Sequence, residues 1–245
     1  MSPLITAIRT LTILPVPGRD ARNLASSLPF FPVAGALIGA LVTLFAKAVA
    51  QTGWTEGAGA GAAVAAIWVT RGLHVDGLAD VSDALGGGRT LERRLAIMKD
   101  PHTGAFGVIA VAADLLLKAV ALARLAALSQ WALMALPFIV SRTAQVVLAV
   151  WLPYARPEGG TARSFVADSR PLHLVLTLPM ALLWCVLIGQ MSGVILLLEG
   201  VVIAVLLGLW MKRVFGGVTG DLLGAANEAV ETGLLVFMAA VAGKA

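Results

Sequence analysis

Seven stretches of this chain are almost uninterruptedly apolar: residues 28–51, 57–70, 105–123, 131–151, 172–189, 194–210 and 232–242. A helix that crosses a bilayer needs about 20 residues, within a range of about 17–25. The second and seventh stretches fall short of that. The second carries Gly57, Gly59 and Gly61 beside Ala62 and Ala63, and small residues let membrane helices approach closely. The pattern predicts an all-α, polytopic integral membrane bundle of about seven spans. Near the start, Leu4, Ile5, Ile8 and Leu11 recur at helical spacing, which predicts a short interfacial helix. A polar stretch with prolines precedes the first long run, so no cleaved leader is expected. With no internal repeat and no low-complexity tract, residues 1–245 read as one membrane-embedded domain.

Composition agrees. Of 245 residues, 59% are hydrophobic and 13% charged, about half the ~25% charged content of soluble domains. Disorder is excluded by the apolar content, and a disulfide scaffold by the single Cys185. The net charge of +4 would suggest nucleic acid in a soluble protein, but its placement points elsewhere, and no nucleic-acid partner is expected. Thirteen of the eighteen Lys and Arg lie in residues 1–27, 71–104, 152–171 and 211–231. These segments share one face if seven spans start from a cytoplasmic N-terminus. Arg124 and Lys244 go to the other face, and Lys47, Lys118 and Arg142 sit in spans. This is the positive-inside asymmetry. It predicts that the long polar segments face the cytoplasm, with the lipid bilayer as the surrounding partner.

The polar segment 71–104 holds the strongest chemical signal. Asp76, Asp80 and Asp83 stand at helical directions of about 0°, 40° and −20°, so the three carboxylates share one helix face. Like charges so placed repel. No Lys or Arg lies between His74 and Arg89 to offset them, which argues against an ordinary solvated acidic face. Hard divalent ions favour carboxylate oxygens, and Mg²⁺ combines a few of them with substrate phosphates. Gly86, Gly87 and Gly88 are expected to end this helix and to let backbone approach a ligand.

A second acidic site is Asp221, Glu228 and Glu231, preceded by Thr219. Asp221 and Glu228 are seven apart and share a face of any helix there. The competing reading is a plain helix start with Thr219 or Asp221 as N-cap. In a third, Lys99 and Asp100 precede Pro101, and the run Gly104 to Gly107 opens the next span. Backbone N–H groups at that helix start, with Lys99 near, are expected to hold an anionic oxygen. His102 reads as a phosphate ligand or as a solvated loop histidine. Charges within spans are expensive. Asp114 and Lys118, at i and i+4, are expected to pair with each other. Arg142 has no local partner and is expected to face the active cavity.

These residues sit in runs that resemble the cobalamin synthase family, also called adenosylcobinamide-GDP ribazoletransferases. The runs are Leu11-Thr12-Ile13-Leu14-Pro15-Val16-Pro17, Phe31-Pro32-Val33-Ala34-Gly35, Gly72-Leu73-His74-Val75-Asp76-Gly77-Leu78-Ala79-Asp80, Ile97-Met98-Lys99-Asp100, Gly104-Ala105-Phe106-Gly107, Tyr154-Ala155-Arg156 and Gly216-Gly217-Val218-Thr219-Gly220-Asp221-Leu222-Leu223-Gly224-Ala225. Three positions depart from the family pattern: Pro101-His102 stands where Ser-Arg is expected, and Ala84 where Gly is expected. The resemblance implies a multi-pass enzyme of the bacterial inner membrane that acts late in vitamin B12 assembly. It would join adenosylcobinamide-GDP to α-ribazole or its 5′-phosphate and release GMP, with Mg²⁺ as cofactor. Association with other enzymes of the corrinoid pathway, or with further copies of the chain, is a further expectation.

Combining both lines, Asp76, Asp80 and Asp83, with Asp221 and Glu228, are the expected metal ligands. Asp76, Asp80, Asp83, His74 and Lys99 are the expected catalytic groups. Arg71, Gly86, Gly87, Gly88, His102, Arg142, Arg156 and Thr219 are the expected substrate-binding residues. An unliganded carboxylate or His74 would take the hydroxyl proton, and the sequence leaves that choice open. Two other classes compete. A CDP-alcohol-type lipid synthase also clusters aspartates around Mg²⁺, with a different spacing. A transporter would place its site near the midplane, whereas these acids fall in loops or span ends.

Overall fold

The computed structural model describes residues 2–156, 158–160 and 162–243, and Lys244 lies outside the described residues. Helix α1 (Pro3–Leu11) buries Thr6, Ala7 and Leu11. A 3₁₀ segment, Leu24–Phe30, capped by Asn23, leads into α2 (Phe31–Ala50), which carries Pro32 in its first turn, where a missing N–H costs nothing. Then come α3 (Thr55–Val69), α4 (Leu73–Gly87), α5 (Leu91–Ile97), α6 (Ala105–Ala127), α7 (Trp131–Met134), α8 (Leu136–Trp151), α9 (Arg163–Ala167), α10 (Pro171–Phe215) and α11 (Gly220–Val241).

Five helical stretches are long and apolar enough to cross a membrane. One of them, α10, is two spans. Its 45 residues break at Gln190, whose φ of 50° and ψ of −128° lie outside any helix. Residues eight apart on a straight helix are separated by about 12 Å. Here a side chain added at Gly193 would sit 3.2 Å from the Cα of Cys185. The chain therefore doubles back at Gln190, and the apolar stretches 172–189 and 194–210 are the two limbs of a hairpin. Helix α3 has 15 residues, short for a span, as its sequence foretold. It packs closely on α6: a side chain at Gly59 would lie 2.6 Å from the Cβ of Ala123.

The last apolar stretch needs correction. The sequence places its start at residue 232 and treats 211–231 as a polar loop, but α11 begins at Gly220 and buries Asn227, Glu228 and Glu231. Their polarity interrupts the apolar pattern, yet their charges are met by bases on neighbouring helices, so the segment is a buried helix. The loop shrinks to residues 216–219.

The polar connections gather at one end of the bundle. Arg71 donates to the carbonyl of Arg9, Arg94 to that of Val214, and Ser169 to that of Ala149. Backbone bonds link Ala155 with Val218. At the opposite end Arg124 donates to the carbonyl of Ala239 near the C-terminus of α11. The basic segments thus share one face, as the charge asymmetry requires.

Candidate active site

Helix α4 begins abruptly. Arg71 and Gly72 are both left-handed, with φ of 56° and 67°, so two residues reverse the chain out of α3. Only the glycine takes that conformation without cost. Once reversed, α4 lies against α11 in backbone contact. A side chain at Gly77 would sit 2.9 Å from the Cα of Asp221, and one at Gly224 would sit 3.2 Å from the Cα of His74. This crossing puts the aspartate face of α4 beside the first turn of α11, where Thr219 is the N-cap and accepts from Leu222.

Asp76, Asp80 and Asp221 now form one cluster. Asp80 is half-buried, and its carboxyl is pushed up to about 7, by burial first and then by Asp221 and Asp76, with Arg156 opposing. Arg156 donates to Asp221 at 2.7 Å and to the carbonyl of Met98 at 3.2 Å. One guanidinium against three carboxylates leaves the cluster short of positive charge.

Asp83 is on the same helix but is used differently. Its two oxygens accept from the backbone N–H groups of Gly104, at 2.6 Å, and Gly107, at 2.8 Å. The start of α6 does hold an anionic oxygen, and that oxygen belongs to the chain itself. Lys99, expected beside it, instead pairs with Glu158 on the surface. His102 is exposed and bonds to Asp100 at 2.7 Å. The glycine run ends α4 as expected, with Gly88 as C-cap. The close approach it allows is to protein: Gly86 lies under the Phe106 ring, and Arg94 donates to the carbonyl of Gly88 at 2.9 Å.

Glu228 does not join the aspartates. It pairs with Lys118 of α6 in the bundle interior. Lys118 also contacts Glu231 at 2.8 Å and Asp114 at 3.5 Å. Glu231 pairs in turn with Arg142 of α8, which reaches Ser141 at 2.9 Å and His74 Nδ1 at 3.4 Å. The expected Asp114–Lys118 pair exists, as one edge of a five-charge network that ties α6, α8 and α11 together and touches α4 through His74. Arg142 is therefore an interior ion-pair partner. His74 is 1% exposed, and burial, with Arg142 next, holds it well below the usual imidazole range. A guanidinium can only donate, so Nδ1 accepts and the proton of the neutral ring resides on Nε2.

Two cavities meet at Asp76. One, of about 390 Å³, is lined by Thr10, Phe31, His74, Gln145, Phe165 and Asp221 among others. The other, of about 730 Å³, runs along α6 past Thr103, Val108, Val111 and Leu115. Arg71, Leu73 and Asp76 line both. Gln145 escapes a motif search, although its place three residues after Arg142 in an apolar helix marks that face as polar.

Among the described residues, no three His, Cys, Asp or Glu side chains converge into a preformed metal cage. The donors at the cluster are nevertheless hard oxygens that a single guanidinium, Arg156, offsets, which suits Mg²⁺, an ion that keeps several waters and takes few protein ligands.

The cobalamin-5-phosphate synthase family matches residues 3–239. The chain belongs to that family. Similar members named adenosylcobinamide-GDP ribazoletransferase include one from Chlorobaculum tepidum, 46% identical over 98% of this chain and 95% of its own length. One from Chlorobaculum parvum is 47% identical, covering 94% and 92%, and one from Syntrophobacter fumaroxidans is 37% identical, covering 94% and 95%. No solved structure matches this synthase-family chain.

Proposed function

We propose that the chain is an adenosylcobinamide-GDP ribazoletransferase of the bacterial inner membrane, with its site on the cytoplasmic face. The observation that carries this reading is the charge-deficient carboxylate cluster between two cavities that share Asp76 and Arg71. A two-substrate phosphoryl transfer needs such a junction. Family membership supplies the substrates, adenosylcobinamide-GDP and α-ribazole or its 5′-phosphate.

In this reading the acceptor hydroxyl attacks the cobinamide-side phosphorus of the diphosphate in line. A new P–O bond forms, the P–O bond to GMP breaks, and the hydroxyl proton passes to a carboxylate of the cluster. Asp76, Asp80 and Asp221 would hold Mg²⁺, which when bound neutralises charge on the diphosphate oxygens. Arg71, at the mouth of both cavities, adds fixed positive charge where phosphate arrives. Arg156 anchors Asp221 through an ion pair at 2.7 Å. Asp83 sets the angle between α4 and α6 by capping α6. The interior network holds α8 and α11 behind the cluster.

The test is turnover. Purified protein given adenosylcobinamide-GDP, α-ribazole and Mg²⁺ is expected to release GMP and form a corrinoid nucleotide. Transfer to an alcohol from CDP-alcohol, with no use of the corrinoid, would replace this reading.

A further inference from the structure

Two residues that line the cavity of about 390 Å³ beneath α1 each carry a buried polar atom left unpaired among the described residues. His74 Nε2 and Gln145 Oε1 are buried and have no hydrogen-bond partner among the described residues. Both side chains line the cavity, and both are more than nine-tenths buried, with 1% and 5% exposure. Leaving a buried polar atom unpaired is costly, so such atoms call for an occupant. Their hydrogen-bonding roles are fixed. The bond between Arg142 and His74 Nδ1 leaves a proton on Nε2, so His74 is a donor. Gln145 Nε2 donates to the carbonyl of Leu223 at 3.3 Å, so its Oε1 is the unpaired acceptor. Apolar surface comes from Leu11, Leu28 and a tilted aromatic pair, Phe31 and Phe165, whose centroids are 6.1 Å apart, beside the charged Arg71, Asp76 and Asp221.

From this we infer that the cavity is the acceptor subsite: it holds a benzimidazole-type nucleoside, with His74 Nε2 and Gln145 Oε1 selecting its polar atoms. This rests on the transferase reading and deepens it. A fused aromatic ring with one acceptor nitrogen matches the one unpaired buried donor, His74 Nε2, and the aromatic faces of Phe31 and Phe165. A ribose hydroxyl supplies the donor that Gln145 lacks. Guanine fits worse, because pairing its edge of several donors and acceptors would draw on Arg71, Asp76 and Asp221, the groups that this reading assigns to the diphosphate and its metal. A corrinoid macrocycle exceeds a cavity at the small end of the ~300–1,000 Å³ range of ligand sites, and it is left to the larger groove along α6. Asp76 and Asp221 border the cavity, so a nucleoside there would present its hydroxyl to the carboxylates. His74 and Gln145 are then specificity residues.

The experiment is calorimetric titration of the purified full chain in lipid nanodiscs with α-ribazole, and separately with GMP, together with steady-state kinetics for both substrates. Gln145→Leu removes the acceptor, and Phe165→Ala opens the aromatic wall from α9, outside the long spans. Both are expected to weaken α-ribazole binding by about tenfold or more and to raise its KM. KM for adenosylcobinamide-GDP and affinity for GMP should stay within about twofold. Phe165→Ala keeps the test valid if Gln145→Leu fails to insert. Loss of GMP affinity instead would place guanosine in the cavity and overturn the inference. So would an unchanged α-ribazole KM in variants that turn over, a result that leaves the transferase reading intact. A wild-type protein that neither binds α-ribazole nor releases GMP would overturn both.

Discussion

Gly77 of α4 lies against the backbone of Asp221 on α11, so closely that a Cβ there would stand 2.9 Å from the Asp221 Cα and 2.6 Å from its carbonyl oxygen. Backbone cannot yield as a flexible side chain can. Gly77→Ala is therefore expected to push the helices apart by a fraction of an ångström to an ångström and to separate Asp221 from Asp80. A misplacement of that size can cost about 10²-fold in rate, while overpacking costs about 1–3 kcal/mol of stability. Turnover should fall by about two orders of magnitude in protein that still inserts and elutes as the wild type does. Gly233, with open space around it, supplies the control, since Gly233→Ala should leave activity and stability near normal.

Asp80 and Asp83 share a helix face but should respond differently to amidation. Asp80→Asn removes a charge from the cluster and is expected to abolish turnover without unfolding. Asp83→Asn keeps one acceptor for the N–H groups of Gly104 and Gly107, whereas Asp83→Ala keeps none. Loss of a helix cap costs about 0.5–2 kcal/mol. Melting temperatures should therefore fall in the order wild type, Asn, Ala, with partial activity in Asp83→Asn. Equal abolition by both amide variants, with unchanged melting, would make Asp83 a member of the reacting cluster.

This division shows what a sequence can carry. The shared face of Asp76, Asp80 and Asp83 follows from spacing alone and is present in α4. The role of Asp83 depends on glycines more than twenty positions away, so no local rule reveals it. The true length of α11 was hidden for the same reason. Glu228 and Glu231 look like loop residues until Lys118 and Arg142 are known to face them. The reversal at Gln190 was legible only as a gap in the apolar pattern, since neither Gly nor Pro occupies the position itself. Arg156 showed as a motif residue, and its partner Asp221 became visible only in the fold. The empty polar valences of Gln145 and His74 left no mark in the sequence.

The interior network should behave as a unit. Glu231 contacts both Lys118 and Arg142, so Glu231→Leu strands the buried Arg142 and takes one of three carboxylates from Lys118. Breaking a buried pair from one side costs about 3–5 kcal/mol, and the variant is expected to melt far below wild type in detergent. The double change Glu231→Leu with Arg142→Met should recover part of that loss. Additive losses in the double variant would show that the two residues do not pair.

Metal binding should depend on pH. Without metal, Asp80 stands near 7, above its ordinary value, so it is protonated below that pH and competes with a cation. Mg²⁺ affinity is expected to rise from pH 6 to pH 8, with proton release on binding across that interval. Titration calorimetry in buffers of different ionisation enthalpy counts those protons. An affinity flat across this range would remove Asp80 from the ligand set.

The most direct measurement follows GMP and the corrinoid product together, with purified wild-type protein, adenosylcobinamide-GDP and α-ribazole, in Mg²⁺ and again after chelation. The expected result is equal amounts of GMP and product with Mg²⁺, and neither after chelation or in Asp80→Asn. Undiminished product without divalent metal, or full activity in Asp80→Asn, would contradict the assignment of this carboxylate cluster as the site of transfer.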